Sequence, residues 1–351
     1  MNPAAAPVAA FDAIDLTRRL IDIESITYNE GAVGQFLADF LAGRGFEIEV
    51  MPVEQDSEIR AAGERINVYG YTAGETPDVV FSTHMDTVPP FIASSEDDEF
   101  IYGRGACDAK GIISAQIAAA ERLRAEGIKV GLLFVAGEER DSAGAKVANK
   151  NPRGSRFLIN GEPTDNRVAL ASKGTLRAEI RATGKMAHSA YPELGESAIH
   201  KLIEALDRVL ALELPVNPEI GPSTLNIGLI DGGRAPNVIA DHATAQLMIR
   251  LVGPSTETRR AIEEACQGLA TVEYRLEIPF MEFRHIEGVP SMVAAFTTDV
   301  PWLNAWGEPL LLGPGSIHVA HTPHEKLAKR ELLEAIDLYV EVTRRLVSGK
   351  A

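Results

Sequence analysis

His84 and Asp86 stand two residues apart in STHMDTVPP, directly after the apolar run 79–82. On extended chain that spacing turns both side chains to one side. A metal-bound imidazole commonly gives its second ring N–H to a carboxylate, so His84 reads as a ligand and Asp86 as the group that orients it. A polar loop is the plain alternative. Asp108 lies in GRGACDAKG, where flanking glycines permit a sharp turn and a helix begins immediately after. Asp is a good helix N-cap, but its two oxygens also allow it to bridge two cations. Cys107 beside it reads as a small buried hydrophobe. Glu138 and Glu139 close the apolar stretch VGLLFVAGEE. In extended geometry neighbouring side chains face opposite ways, so one can hold a metal while the other takes a proton from water; a solvated acidic turn is the other reading. Glu162 follows RFLING and precedes a proline, and His318, His321 and His324 share the Gly- and Pro-bounded loop GPGSIHVAHTPHE. By type any of the three can bind metal, whereas His200, His242 and His285 read as surface or core residues.

Jointly these positions offer imidazole and carboxylate donors, a mixture that suits zinc, or cobalt or manganese in its place, better than calcium or copper. Two histidines and three acidic residues, one of them bridging, can hold two ions. Such a pair polarises a carbonyl and activates water, the chemistry of amide or ester hydrolysis. No GxSxG elbow, P-loop or helix-opening GxGxxG competes with that reading.

Donors so scattered in sequence need elements that carry them to one place. Apolar residues at three- and four-residue steps predict helices over 11–23, 31–41 and 111–126, with a last one over 325–347. Short β-rich runs at 46–53, 66–71 and 79–82, the stretch ending in GEE and the stretch 156–162 predict an α/β sheet. Ligands of such sheets bind outside the carboxyl ends of strands, and three of these strands finish in His, Asp or Glu. After Lys173 the pattern changes to longer alternating strands (TLRAEIRA, STLNIGLI, ATAQLMIRL, TVEYRLEI) with amphipathic helices over 196–212 and 256–268. Two strands per helix predict an α+β sandwich inserted into the first domain, with the chain returning at about Phe283.

The 351 residues suffice for two domains at ~150 residues each. A net charge of −16 argues against a nucleic-acid partner, which needs clustered Lys and Arg. Two cysteines are too few for a disulfide framework or a thiolate zinc site and fit a reducing compartment. The N-terminal MNPAAAPVAAF lacks a basic n-region, and no run approaches the ~18 apolar residues of a membrane span. A cytoplasmic protein without a membrane partner is expected.

The order STHMDTVP, GRGACDAKG, GEE, GEPT, AHSAYPELGESA and AHTPHE, spread over nearly the whole chain, resembles the dinuclear zinc amidohydrolases and exopeptidases that include acetylornithine deacetylase, succinyl-diaminopimelate desuccinylase, carboxypeptidase G and aminoacylase. The resemblance implies a zinc-exopeptidase-like catalytic domain over 1–173 and 284–351, a mixed sheet flanked by helices. It also implies an inserted α+β sandwich over 174–283 that serves as lid and dimerisation domain of a homodimer. His84 and Glu162 would hold one zinc and Glu139 and His321 the other, with Asp108 between them, Glu138 as general base and Asp86 orienting His84. The AHTPHE frame selects His321 from its neighbours.

His188 in GKMAHSAYP, alone a surface-loop histidine, matches a lid histidine that enters the partner subunit's active site and supports the oxyanion. Asn237 in GGRAPNVIAD and Arg250 in LMIRL match lid positions that bind the substrate carbonyl and free carboxylate; an Arg fork suits a carboxylate, and a solvated strand Arg is the alternative. Glu rather than Asp at 162 is similar to the deacylase and carboxypeptidase branch and disfavours aminopeptidase action. Ile112 departs from the DxKGG pattern, which implies a local packing change with the metal retained. The implied reaction is removal of the acyl group from an N-acyl amino acid, as in acetylornithine deacetylase, with a dipeptidase or glutamate-type carboxypeptidase as the alternative. A noncatalytic scaffold relative would be expected to lack a ligand or the base, and none is missing.

Overall fold

The computed structural model describes residues 11–54 and 63–349. Residues 1–10 of the N-terminal segment discussed above therefore lie outside the described residues. In chain order the main elements are α1 (Ala13–Ile21), α2 (Gly31–Gly43), β1 (Glu47–Pro52), β2 (Ile66–Tyr71), β3 (Val79–His84), α3 (Gly111–Ala125), β4 (Val130–Val135), α4 (Ala143–Asn149) and β5 (Phe157–Asn160). There follow β6 (Gly174–Thr183), α5 (Ala198–Leu210), β7 (Thr224–Gly232), β8 (His242–Leu251), α6 (Thr256–Cys266), β9 (Thr271–Ile278), β10 (Glu308–Leu311) and α7 (Lys329–Ser348). The chain divides into two compact units. One runs to Leu170 and includes Phe283–Met292 and the residues from Thr298 onward; the other is Ala171–Glu282 with Val293–Thr297.

The first unit is built on a six-stranded sheet of order β1-β2-β4-β3-β5-β10. β3 lies parallel to both β4 and β5, and β10 parallel to β5, while β2 runs antiparallel to β4 and to β1. Every residue of β3 and β4 is buried, which is why both read as unbroken apolar runs rather than alternating ones. Side chains such as Phe81, Phe134, Leu132 and Ile159 join Leu16, Leu20, Ile113, Ile117 and Tyr339 of the helices in one core. Burial of each large side chain contributes about 1.5–3 kcal/mol. Helix α1 starts where the Asp12 carboxylate accepts the N–H groups of Ile14 and Asp15 at 2.8 and 3.3 Å.

Parallel strands share one carboxyl edge, and here β3, β4, β5 and β10 deliver the segments that follow them to that edge. β10 is absent from the sequence reading. It is four residues long and begins Glu-Pro, too short for periodicity to register. The last helix begins at Lys329 rather than at residue 325, because Lys326–Ala328 pairs as a strand with Phe100–Tyr102 and Glu325 turns inward.

In the second unit four antiparallel strands are ordered β7-β8-β6-β9. β8 alternates strictly between buried and half-buried positions. Its inward Leu247 and Ile249 pack with Leu176 and Ile180 of β6, Leu202 and Leu206 of α5 and Ile262 of α6. One covered face and one open face account for the alternation visible in the sequence.

Candidate metal centre

Two groups of donors form at the carboxyl edge of the first unit's sheet. The ligand atoms of His84, Asp108 and Glu162 lie within 4.8 Å of one another, and so do those of Asp108, Glu139 and His321. Asp108 belongs to both and turns a different oxygen to each: Oδ1 is 2.9 Å from His84 Nε2, and Oδ2 is 3.2 Å from His321 Nε2. His321 Nε2 also lies 3.0 Å from Glu139 Oε1. The segment between β3 and α3 brings Asp108 in without using it as a helix cap: α3 starts at Gly111, and among the described residues no side chain caps it.

The order of the His84 ring is set by the main chain. Its Nδ1 donates to the Asp86 carbonyl at 2.9 Å, while the nearest Asp86 carboxylate oxygen is 3.7 Å away. This directs Nε2 toward Asp108 and leaves it as the ring atom available to a cation. The Asp86 carboxylate serves the next strand end instead. Its oxygens accept the N–H groups of Gly137, Glu138 and Glu139 at 2.9, 3.1 and 3.2 Å and the Thr27 hydroxyl at 2.8 Å. Glu138 and Glu139 thus sit in a turn beyond β4, which ends at Val135. Their separate directions come from that turn and not from strand alternation.

Glu325, outside the sequence-derived set, holds the Asp108 segment. Its Oε1 accepts from the N–H groups of Gly105, Cys107 and Asp108 at 2.9, 3.3 and 3.2 Å, and its Oε2 from Arg104 at 2.6 Å. Cys107 is fully buried there. Ile112 packs against Gly161, at a contact too close for any side chain at 161, so the departure from a second glycine is met by local packing beside Glu162. Asp299 is a further buried acid, and among the described residues neither of its oxygens has a hydrogen-bond partner. Burial pushes its carboxyl up to about 7. Nothing in TDVPW marks it, since a lone Asp before Val-Pro reads as a turn residue.

The electrostatics favour cations. Burial first, and the Glu162 charge second, push the Glu138 carboxyl well above its ordinary range, and burial does the same to Glu162. Hydrogen bonds to Asp108 and Glu139 raise His321 to about 10. Burial pushes Asp108 upward, but the His321 and His84 rings outweigh it and hold the carboxyl down. Glu162 Oε1 is buried and has no hydrogen-bond partner among the described residues. A buried carboxylate oxygen left in that state is costly, and a divalent ion shared with His84 and Asp108 would satisfy it. The donors present therefore fit two such ions.

His188, Asn237 and Arg250 all lie in the second unit. His188 is exposed; its Nδ1 accepts the Ala190 N–H at 3.1 Å, so a neutral ring carries its proton on Nε2, free to donate. Ser189 N–H donates to the Asn237 carbonyl at 3.0 Å, and His188 bridges to Val238, which puts the two loops side by side. Arg250 does not join them. It is half-buried near the far end of β8 and donates to Thr175 Oγ1 at 2.6 Å.

The peptidase dimerisation domain of the M20 peptidases matches residues 170–276. A peptidase M20 domain-containing protein of Schizosaccharomyces pombe is 38% identical over 94% of this chain and 84% of its own length. This chain belongs to the M20 peptidase family. A second relative, a probable carboxypeptidase of Aspergillus flavus, is 37% identical over 96% of this chain and 88% of its own length. Among solved structures, aminopeptidase PepT of Bacillus cereus shares the fold with a TM-score of 0.80 at 20% identity, covering 95% of this chain and 98% of that one. The mixed α/β fold with a dimerisation domain, expected from the sequence, is that of the M20 family. Among the described residues no helix is long and apolar enough to cross a membrane.

Proposed function

We propose that this M20 protein hydrolyses the amide bond of a small N-acyl amino acid at a two-ion centre, in the manner of acetylornithine deacetylase. The observation that carries the reading is the pair of donor groups joined through the two oxygens of Asp108. His84 and Glu162 would hold one ion, Glu139 and His321 the other, with Asp108 between them. When bound, two divalent ions, zinc or in its place cobalt or manganese, supply Lewis acidity toward the scissile carbonyl and acidify water. Glu138 belongs to neither donor group and lies next in sequence to Glu139, which leaves its carboxylate to act as general base. It would take the proton from the attacking water and return it to the leaving amine.

His188 would donate from Nε2 to the oxyanion, Asn237 would bind the substrate carbonyl, and Arg250 its free carboxylate. His242 to Arg250 along β8 spans about 26 Å at ~3.3 Å per residue, and Asn237 precedes that strand. A small substrate meets both ends only if they come from two subunits. This supports a homodimer in which residues 174–283 act as lid and dimerisation domain. A dipeptidase or glutamate-type carboxypeptidase is the second reading. It uses the same groups on a substrate that also carries an amide and a free carboxylate, and the Aspergillus flavus relative favours it.

The test is to strip the protein with chelator, restore zinc, and measure amine released from a panel of N-acetyl amino acids and dipeptides. Zinc-dependent release from acetylated substrates is the expected result, and cleavage of dipeptides alone moves the assignment to the second reading. A chain that takes up no metal overturns both.

A further inference from the structure

Residues 136–144, which carry Glu138 and Glu139, are gripped from two sides. Within the turn the N–H groups of Arg140, Asp141 and Ser142 all donate to the Gly137 carbonyl, at 3.3, 3.0 and 2.7 Å. Asp86 holds the N–H groups of 137–139, as described above. Opposite it lies Arg65, whose side chain is wholly inaccessible to solvent, as is that of its partner Glu30. Arg65 donates from Nε to Glu30 Oε2 and from Nη2 to Oε1, both at 3.1 Å, and from Nη1 and Nη2 to Asp141 Oδ2 and Oδ1 at 3.1 and 3.4 Å. Its guanidinium also lies 4.7 Å from the centre of the Tyr28 ring.

The contact with the turn is direct. Gly137 has a φ of +86°, and a Cβ there would run into Arg65 Nη2 and Asp141 Oδ1, so only glycine lets the guanidinium lie against the turn. Asn67, two residues further along the same extended chain, pins the turn's ends: it donates to the Gly144 carbonyl at 2.8 Å and accepts the Ala136 N–H at 3.1 Å.

A fully buried cation between two carboxylates is a poor device for stability alone, since well-packed apolar residues of similar volume often serve as well. What a planar fork adds is fixed geometry. We infer that Arg65, braced by Glu30 and gripping Asp141, is the positioning residue that sets Glu138 and Glu139 against the centre; the inference rests on the two-ion function proposed above. Arg65 belongs to neither donor group. It acts through the turn, where a displacement of about 1 Å at a reacting group can cost ~10²-fold in rate.

The experiment compares full-length wild type with Arg65→Lys and Asp141→Asn. It reads zinc affinity by calorimetry on chelator-stripped protein, kcat and KM on whichever panel substrate the wild type cleaves best, and Tm as a check on folding. Lys keeps the charge but loses the fork. Arg65→Lys is expected to lower kcat about 10- to 100-fold with KM within about two-fold, and to weaken zinc uptake about ten-fold, as outer-shell changes commonly do. Asp141→Asn, at a partly exposed side chain, should move both in the same direction by about three-fold or more, so the inference stays testable if Arg65→Lys does not fold. Folded variants that keep kcat and zinc affinity while only Tm falls overturn it and leave Arg65 a structural residue. If the wild type binds zinc but cleaves nothing on the panel, the proposed substrate class fails while the zinc arm still decides the inference. If the wild type binds no zinc, both fail.

Discussion

His84, Asp108 and Glu162 in the first unit are buried, the His84 ring held by the Asp86 carbonyl and the Asp108 main chain by Glu325; His188 and Asn237 in the second unit are exposed on adjoining loops whose links are mostly main-chain. In the first arrangement the positions of His84, Asp108 and the Glu138–Glu139 turn are set by the sheet and by Asp86 and Glu325. In the second only backbone placement is fixed, so a side chain there acts when a ligand or a second subunit supplies the other half of the contact. A buried, hydrogen-bonded frame suits groups that must keep fixed distances, and exposed loops suit groups that meet a ligand from outside.

The sharpest way to break this contrast is Glu138→Gln. It should lower kcat about 10³-fold while elemental analysis still finds both ions, since Glu138 lies outside both donor groups. Full turnover in that variant would remove the base from the first unit. Next in size, His188→Ala should cost about 10²-fold in kcat with zinc content and Tm unchanged, the behaviour of an exposed donor used only in the transition state. Mixing it with Glu138→Gln under subunit exchange should restore up to about a quarter of wild-type activity, because half the dimers are then mixed and each holds one intact site. No recovery would mean that His188 serves its own subunit.

Asp86→Asn comes third. An amide cannot accept everything that the carboxylate accepts, so kcat should fall about 10- to 100-fold and, unlike the His188 change, lower Tm in the same preparation. The smallest effect is expected from Arg250→Lys. Loss of the fork should raise KM about five- to ten-fold with kcat nearly constant, the sign of uniform substrate binding; a fall in kcat alone would place Arg250 in the reaction rather than in recognition.

Most of the fold was legible, because long apolar runs and strict alternation follow directly from burial on two faces or one. β3 and β4 read off as continuous apolar runs, α3 from apolar residues at helical spacing, and β6 to β9 as alternating strands. β10 was not legible, nor was the strand that delays α7, since three or four residues carry no measurable period. At the site the types and order of His84, Asp108, the Glu pair and Glu162 pointed to metal chemistry. The choice of His321 over its neighbours came from the resemblance, and the structure puts His321 within reach of Asp108 and Glu139. The outer partners were not read: Arg65, Asn67 and Asp299 stand in stretches with no motif, while Glu325 closes the AHTPHE frame in which only the histidines drew attention; Arg65, Asn67 and Glu325 each bond across a long span of chain.

By itself the sequence determined which side chains can bind a cation and which stretches become strands, because residue chemistry and burial period are local properties. Only the tertiary structure decided that β3, β4, β5 and β10 run parallel and so present their ends on one edge, that Asp108 turns one oxygen to each donor group, and that the Asp86 carboxylate grips the Glu138 turn rather than the His84 ring. The reason is geometric: a hydrogen bond or a shared ligand depends on distances of about 3 Å between residues far apart in the chain, and those distances exist only after the core has packed.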